Sequence, residues 1–364
     1  MALNFGSDKK RAVQAKYDAQ KIAFGPIMFQ AALALRNLGI LELVKNSDEG
    51  IIMEEVAGKL KLPVYGVKVL LEAGLSLEVV RVEDSRFHLT KTGWFVLCDE
   101  LTRVNMDFTN DVNYLGMFSL TDSIKTGKPT GLKVFGDWPT VYEGLSQLPP
   151  DVQKSWFGFD HFYSDYAFPE ILPVVFRNNP KHILDVGGNT GKFAIQCMRY
   201  NKDARVTILD LPGQLAKAAQ NVKTEGFDNR IDLFPINLLD HTKPFPRNSD
   251  IIWMSQFLDC FSQQDISGLL RRSAEAMQEN SALYILETYW DQQKYEASTY
   301  SLHATSLYFT NIANGCSQMY HSDDMRKLIK KSGLVLAEEI LDVGVSHTLF
   351  VCKRKRTKNH LIRH

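Results

Sequence analysis

From Ile22 to Val44 apolar residues recur at three- and four-residue spacing in "IAFGPIMFQAALALRNLGILELV", which predicts helix with a kink at Gly25–Pro26. The next stretch predicts a short helix, a turn at Leu62–Pro63 and a second helix through about Leu75. Two short strands follow at 77–82 and 86–90, around the polar turn Glu83–Ser85. Helix, turn, helix and hairpin make a winged-helix pattern, whose second helix would read DNA. Here that helix, "VYGVKVLLEAG", carries one lysine and no arginine. It has little with which to hold phosphate. An amphipathic helix needs one buried face, and residues 22–44 are apolar more broadly than that. A packing or dimerisation module accounts for both features.

Residues 106–170 are rich in aromatics and turns, with "GKPTGLKVFGDWP" as a loop and "WFGFDHFYSDYAFPEIL" as helix. They read as a connector that lines a pocket, with ordinary packing between domains as the alternative. From about 181 strands and helices alternate. Strands are predicted at 182–186, 205–209, 231–236, 250–255, 282–287, 334–341 and 347–353. In "QQDISGLLRRSAEAMQ", Ile266, Leu269, Leu270, Ala274 and Met277 share one helix face. Such alternation predicts a doubly wound, mostly parallel α/β sheet covered on both sides. The last two strands are joined only by "DVGVS", so they must pair as a hairpin and add an antiparallel edge. The expected organisation is a mainly α domain over 1–105, the connector over 106–170, the α/β domain over 171–353 and a basic, solvated tail over 354–364.

Composition supports this outline. A chain of 364 residues, 45% hydrophobic, has the length for two domains and the material for a sizeable core. Lys+Arg and Asp+Glu are both 42, so no net charge draws the chain to nucleic acid or anionic lipid. Five scattered cysteines without CxxC spacing fit reduced thiols of a cytoplasmic protein better than a disulfide frame or a zinc site. No metal is expected. The first residues lack a signal-peptide core, and no uncharged run approaches the roughly 18 residues of a membrane span.

The stretch "ILDVGGNTGKFA" (183–194) breaks a predicted strand into glycines before a helix begins. In doubly wound sheets ligands bind beyond the carboxyl ends of strands, where strand order reverses. A P-loop is excluded, because three residues separate Gly187 from Gly191 and Phe193, not Ser or Thr, follows Lys192. A dinucleotide GxGxxG finds Asn189 and Lys192 where glycines belong. What remains is D-x-G-x-N-x-G, with Asp185 two residues before Gly187. It suits a ligand that is cationic near the loop, such as a sulfonium lying against bare backbone. Asn189 can take positive φ in place of glycine. Asp210, ending the next predicted strand in "RVTILDLP", can grip a ribose diol, and Leu211 can pack on adenine.

These residues and most of the chain, from about 20 to 353, resemble the S-adenosylmethionine-dependent O-methyltransferases of the plant caffeate and bacterial polyketide type. "LDVGGNTG" is similar to that family's VDVGGGTG, and "ILDLP" to its DLP. The segment "SDIIWMSQFLDCFSQQDISGLLRRSAEAMQENSALYILE" follows its strand–loop–helix–strand block. The resemblance implies a homodimer through the N-terminal winged-helix domain, a class I methyltransferase domain, S-adenosylmethionine as cofactor and a small-molecule acceptor. It implies that Asp185, Gly187, Gly188, Asn189 and Gly191 hold the methionine part, and Asp210 the ribose. Asn237 would stand near the adenine amino group, with Leu238 and Ser255 completing the cofactor set.

The pattern breaks at the base. The family's catalytic histidine is replaced by Asp259 in "FLDCF", while Glu287 in "ILETYW" keeps the first of two orienting acids. The second falls at or near Met319, and Ser255 replaces a lysine. An exposed Asp with a pKa near 4 is a poor base for a phenol with a pKa near 10. It would need burial, with Glu287 close by as a like charge. The other reading has Asp259 capping the helix that begins near Ser262–Gln264, or merely solvated. His161 is a second candidate base, or a packing histidine; His303 and His321 have no better claim. Phe157, Phe159, Phe162, Tyr163, Tyr166 and Trp253 are expected to supply apolar walls. The missing histidine also leaves room for an enzyme that keeps the cofactor without methyl transfer, of decarboxylase or hydroxylase type. A non-enzymatic regulator, sensing cofactor through the same scaffold, is a further alternative.

Overall fold

The computed structural model describes residues 8–355; the greater part of the basic tail lies outside them. The chain divides into two compact units, one ending at Asp111 and the other starting at Val112.

The first unit is mainly helical. The helix predicted across 22–44 is three helices, α1 Ala12–Ala23, α2 Gly25–Asn37 and α3 Ile40–Lys45. Phe24 separates the first two, with Pro26 in the opening turn of α2, where a missing N–H costs nothing. Gly39, at φ +78°, ends the second. Helices α4 (Met53–Leu60) and α5 (Val64–Ser76) lead into the hairpin β1 (Val80–Glu83) and β2 (Arg86–Leu89). Asp84 and Ser85 both have positive φ, as a two-residue hairpin turn requires. Glu78 is also left-handed, so the strand predicted from 77 begins only at Val80. Helices α6 (Lys91–Cys98) and α7 (Glu100–Phe108) complete the unit. Its core gathers Leu35, Ile40, Leu41, Val44, Val56, Val67 and Leu71. None of the residues of α1 is buried.

The second unit opens with α8 (Leu120–Thr126), α9 (Val141–Gly144) and the 26-residue α10 (Pro150–Val175). Residues Thr130–Val134, expected as loop, form a short 3₁₀ turn. Asn311, fully buried, holds this region by accepting from Ser123 Oγ at 2.7 Å and donating to the Gly116 carbonyl at 2.8 Å.

The sheet follows: β3 His182–Val186, α11 Lys192–Tyr200, β4 Arg205–Asp210, α12 Pro212–Thr224, β5 Ile231–Pro235, β6 Ile251–Ser255, α13 Gln263–Ala276 and β7 Ala282–Glu287. Then come α14 Glu296–Tyr308, α15 Ser322–Lys331, β8 Leu334–Val343 and β9 His347–Arg354. Strand order is β5-β4-β3-β6-β7-β9-β8. Strands β3 to β7 run parallel, while β9 pairs antiparallel with both β7 and β8, the expected edge hairpin. Neighbouring strand residues face opposite layers. Ile183 and Trp253 pack with Phe168, Phe193 and Val222, whereas Leu184, Ile252 and Met254 pack with Ile266, Leu269 and Leu328. Chain order reverses between β3 and β6, which places a crevice at their carboxyl ends. Among the described residues no helix is long and apolar enough to cross a membrane.

Candidate active site

At the end of β3 the backbone turns through Gly187 (φ +75°), Asn189 (φ +50°) and Gly191 (φ +81°). The Gly187 amide donates to the Leu209 carbonyl at 2.8 Å, tying the loop to β4. A Cβ on Gly187 would stand 2.3 Å from the Phe257 ring, and one on Gly188 would stand 2.6 Å from Asp185 Oδ2. Asp185 is 2% exposed, and its Oδ2 has no partner. Burial, with the charge of Asp210 added, pushes its carboxyl up to about 8. Asp210 also holds the loop, Oδ2 accepting from the Asn189 amide at 2.9 Å and Oδ1 from the Leu211 amide at 2.7 Å, which leaves each oxygen acceptor capacity to spare. Burial raises its carboxyl against those two hydrogen bonds.

An open cavity lies over this loop. The wall opposite β3 is α10, with Asp160, His161, Ser164 and Phe168; Trp253, Ser255 and Gln256 close it from β6. Six of its lining side chains leave a buried polar atom without a partner: His161 Nε2, Asp185 Oδ2, Asn189 Oδ1, Trp253 Nε1, Ser255 Oγ and Gln256 Nε2. Buried polar groups are almost always hydrogen-bonded, so six around one hollow describe a site that a polar ligand completes. Gln256 also holds a strained left-handed backbone, φ +48°.

Beyond β6, the turn Leu258–Cys260 carries Asp259, which is 7% exposed. It does not cap the next helix: Ser262 Oγ does, accepting from the Asp265 amide. Burial, and then the nearby Asp160 carboxyl, lift Asp259 to about 7. Glu287 Oε1 accepts from the amides of Phe257 at 2.9 Å and Leu258 at 2.7 Å, which fixes the turn. Its Oε2 is buried without a partner, and burial and Asp259 hold its proton on well above the usual carboxylate range. The Trp156 indole donates to the Tyr308 hydroxyl at 2.7 Å, and both Tyr308 and Tyr142 lie within electrostatic reach of Asp259.

His161 lies on the cavity wall, and burial keeps its imidazole neutral. His303 packs on the Trp290 ring, and His321 Nδ1 caps α15. Neither reaches the cavity. Met319 Sδ accepts from Thr288 Oγ1 at 3.3 Å, an apolar stand-in that orients nothing charged. Asn237 is exposed, with its amide oxygen taken by the Leu239 amide at 3.0 Å. Leu211 is 38% exposed at the start of α12, and Leu238 is buried. Of the expected aromatic walls, Trp253 lines the cavity, stacked on Phe193 at 4.1 Å, while Tyr166 is half exposed. Sequence reasoning missed Asp160, Ser164, Phe168 and Gln256. Three of them sit on α10, whose facing is set by the sheet. Among the described residues no group of three or more His, Cys, Asp or Glu could hold a metal ion.

The orphaned acid, the cradle that a Cβ would fill and the carboxylate ending β4 fit a ligand with a cationic amine and a polar body. Family models agree with both units. A Dimerisation2-like domain matches residues 16–87 and an O-methyltransferase domain matches 171–335. The L-tyrosine C(3)-methyltransferase of Streptomyces lavendulae is 24% identical over 73% of this chain and 73% of its own. The 3-hydroxy-5-methyl-1-naphthoate 3-O-methyltransferase of Streptomyces sahachiroi is 23% identical over 75% of this chain and 77% of its own. In fold, the chain is similar to the S-adenosylmethionine-dependent methyltransferase SibL, with a TM-score of 0.72 over 92% of this chain and 98% of that one at 22% identity. It is also similar to the mitomycin 7-O-methyltransferase MmcR, with a TM-score of 0.69 over 94% and 98% at 17% identity. With glycine loop, paired acids, sheet order and both family models in agreement, the chain belongs to the S-adenosylmethionine-dependent O-methyltransferases.

Proposed function

We propose that this protein methylates the oxygen of a small aromatic acceptor, with Asp259 as the base in place of the family's histidine. The observation that carries the reading is the cavity between α10 and the β3 loop, where six buried polar atoms wait for partners. When bound there, S-adenosylmethionine supplies a methyl group on a positively charged sulfur that leaves as a neutral thioether. Asp185 Oδ2 is the natural acceptor for its ammonium group, and Asp210, ending β4, for its ribose hydroxyls. Gly187, Gly188 and Gly191 leave the backbone bare, and Asn189 holds the loop to Asp210. Ser255 offers its unpaired hydroxyl from the end of β6.

The acceptor's proton decides the rest. A phenol near pKa 10 facing an ordinary carboxylate near 4 must lose its proton across a gap of about 6 units, roughly 8 kcal/mol. Against Asp259 at about 7, the gap narrows to roughly 3 units, about 4 kcal/mol. The phenolic proton passes to the Asp259 carboxylate as the oxygen takes the methyl group. Glu287 keeps the turn in place and stays protonated beside it. Buried around this path, Trp253, Phe168 and Phe193 exclude water.

We place the dimer contact on the N-terminal unit, where α1 buries none of its residues within the chain. Five free cysteines suit a reducing, cytoplasmic setting. Incubation with methyl-labelled cofactor and a panel of phenols tests the main claim, with aryl methyl ethers carrying the label as the expected product. Label on ring carbon would overturn the oxygen assignment. Consumption of acceptor without label in product would overturn methyl transfer.

A further inference from the structure

Three acids bear on one another in turn, Asp160 on Asp259 and Asp259 on Glu287, and no cation is paired with the last two among the described residues. Asp160 stands on the cavity wall, and its carboxyl bears on both Asp259 and Tyr308. Behind Asp259, Glu287 is 2% exposed and spends Oε1 on two backbone amides, leaving Oε2 buried with no partner at all. Among the described residues, no lysine, arginine or histidine pairs with Asp259 or Glu287. The ammonium that bears on Asp160 is that of Lys192, and it is held at 2.8 and 2.9 Å by the two oxygens of Asp165. His161 beside it is neutral at ordinary pH. The titratable groups near Asp259 besides these acids are phenols and a thiol, Tyr142, Tyr308 and Cys260, none of which can carry positive charge.

Resting on the proposed methyl transfer, we infer that the acceptor is a phenol bearing an ammonium group, its hydroxyl facing Asp259 and its ammonium drawn to Asp160 on the cavity wall, and that phenols bearing a carboxylate are rejected. Buried carboxyls without a counter-charge are costly and hold protons instead. An entering ammonium supplies both the missing charge and N–H donors to the Asp160 carboxyl on the cavity wall. A carboxylate would add a like charge beside Asp160 and Asp259, a repulsive device that sets specificity by exclusion. The cofactor's own positive sulfur offsets one carboxylate and leaves the others unmatched.

The test uses the full chain saturated with S-adenosylhomocysteine and three phenols that differ in one group. Tyramine is the cation, 4-ethylphenol the neutral parent and 3-(4-hydroxyphenyl)propionate the anion. Titration calorimetry should rank them in that order, with tyramine at least about tenfold tighter than the propionate. Asp160→Asn should compress that ratio to within about threefold by weakening tyramine and admitting the propionate. Equal affinities, a preference for the propionate, a ratio untouched by Asp160→Asn, or no heat from any of the three would each overturn the inference. Heat from S-adenosylhomocysteine is measured first, on wild type and variant. Its absence would sink the cofactor reading itself, a failure distinct from a wrong ranking of acceptors.

Discussion

Gly188 leaves vacant the space in which the Asp185 carboxyl stands: a Cβ there would lie 2.6 Å from Oδ2 and 2.8 Å from Ile208 Cγ2. Ile208 is fully buried and cannot yield, so the carboxyl must move. Gly188→Ala should cost about 1–3 kcal/mol of stability by overpacking and weaken cofactor binding at least about tenfold. Gly158→Ala is the matched control, since nothing lies within 4 Å of its missing Cβ on α10. Calorimetry with S-adenosylhomocysteine on both variants checks it. Equal affinities would show that Asp185 does not hold the ligand.

The proposed base makes a second prediction. Asp259→Asn keeps the size of the side chain and removes its ability to take a proton. The methylation rate should fall by about 10²–10⁴, with cofactor affinity nearly unchanged. Because Asp259 works only when deprotonated, the wild-type rate should climb with pH through about 7 and then level. That limb should vanish in the variant. A wild-type profile flat from pH 5.5 to 8.5 would remove Asp259 from the role.

How much of this was legible in the sequence follows from where each signal resides. Strands β3, β4, β6, β7 and β9 lie within a residue or so of their predicted spans, because an apolar run flanked by turn residues is a local signal. The loop "GGNTG" announced its bare backbone for the same reason. Burial of Asp259 was only a condition there, since no local pattern says which face of a loop the protein covers. In the sequence Asp160 is one acid in an aromatic helix; only the packing of α10 brings it to the cavity. The Thr130–Val134 turn is pinned by Asn311, whose partner Ser123 lies 188 residues away in the chain, beyond any window read along it. The helix over 22–44, expected to kink at Gly25–Pro26, breaks again at Gly39, where one residue with positive φ outweighs the surrounding periodicity.

Stability should change with pH in two opposed ways. Asp185 is raised in the folded state to about 8 from an ordinary value of 3.8. The fold therefore binds more protons than the unfolded chain between those values and loses stability as pH rises through that window. His347, fully buried, is lowered to about 4 from 6.5. There the unfolded chain binds the extra proton, so stability falls as pH drops from about 6.5 towards 4. The two slopes cancel between about pH 4 and 6.5, so thermal melts of the ligand-free protein should be level there and fall as pH rises from about 6.5 to 8. Asp185→Asn should lessen the alkaline fall and leave a rise from about pH 4 to 6.5, whereas His347→Gln should turn the level stretch into a continuous fall. A melting temperature that rises steadily from pH 6 to 8.5 in the wild type would contradict the Asp185 limb.

The last prediction concerns assembly. In the N-terminal unit Val13, Ile22 and Ile27 are 83%, 80% and 65% exposed, on helices α1 and α2 that open the chain. Aliphatic side chains left this open on consecutive helices mark an interaction surface. A second copy of the same unit is the partner proposed for it, which requires a symmetric contact in which the same residues serve both sides. Light scattering at micromolar concentration should give the mass of two chains. Ile22→Glu with Ile27→Glu should raise the dimer dissociation constant at least about tenfold, because each charge would be desolvated on both sides of the contact. Neither side chain contributes to the core within its own chain, so circular dichroism and the melt of the isolated protomer should be preserved. A wild type that runs as one chain under these conditions leaves the exposed apolar surface unexplained by self-association and ends this assignment.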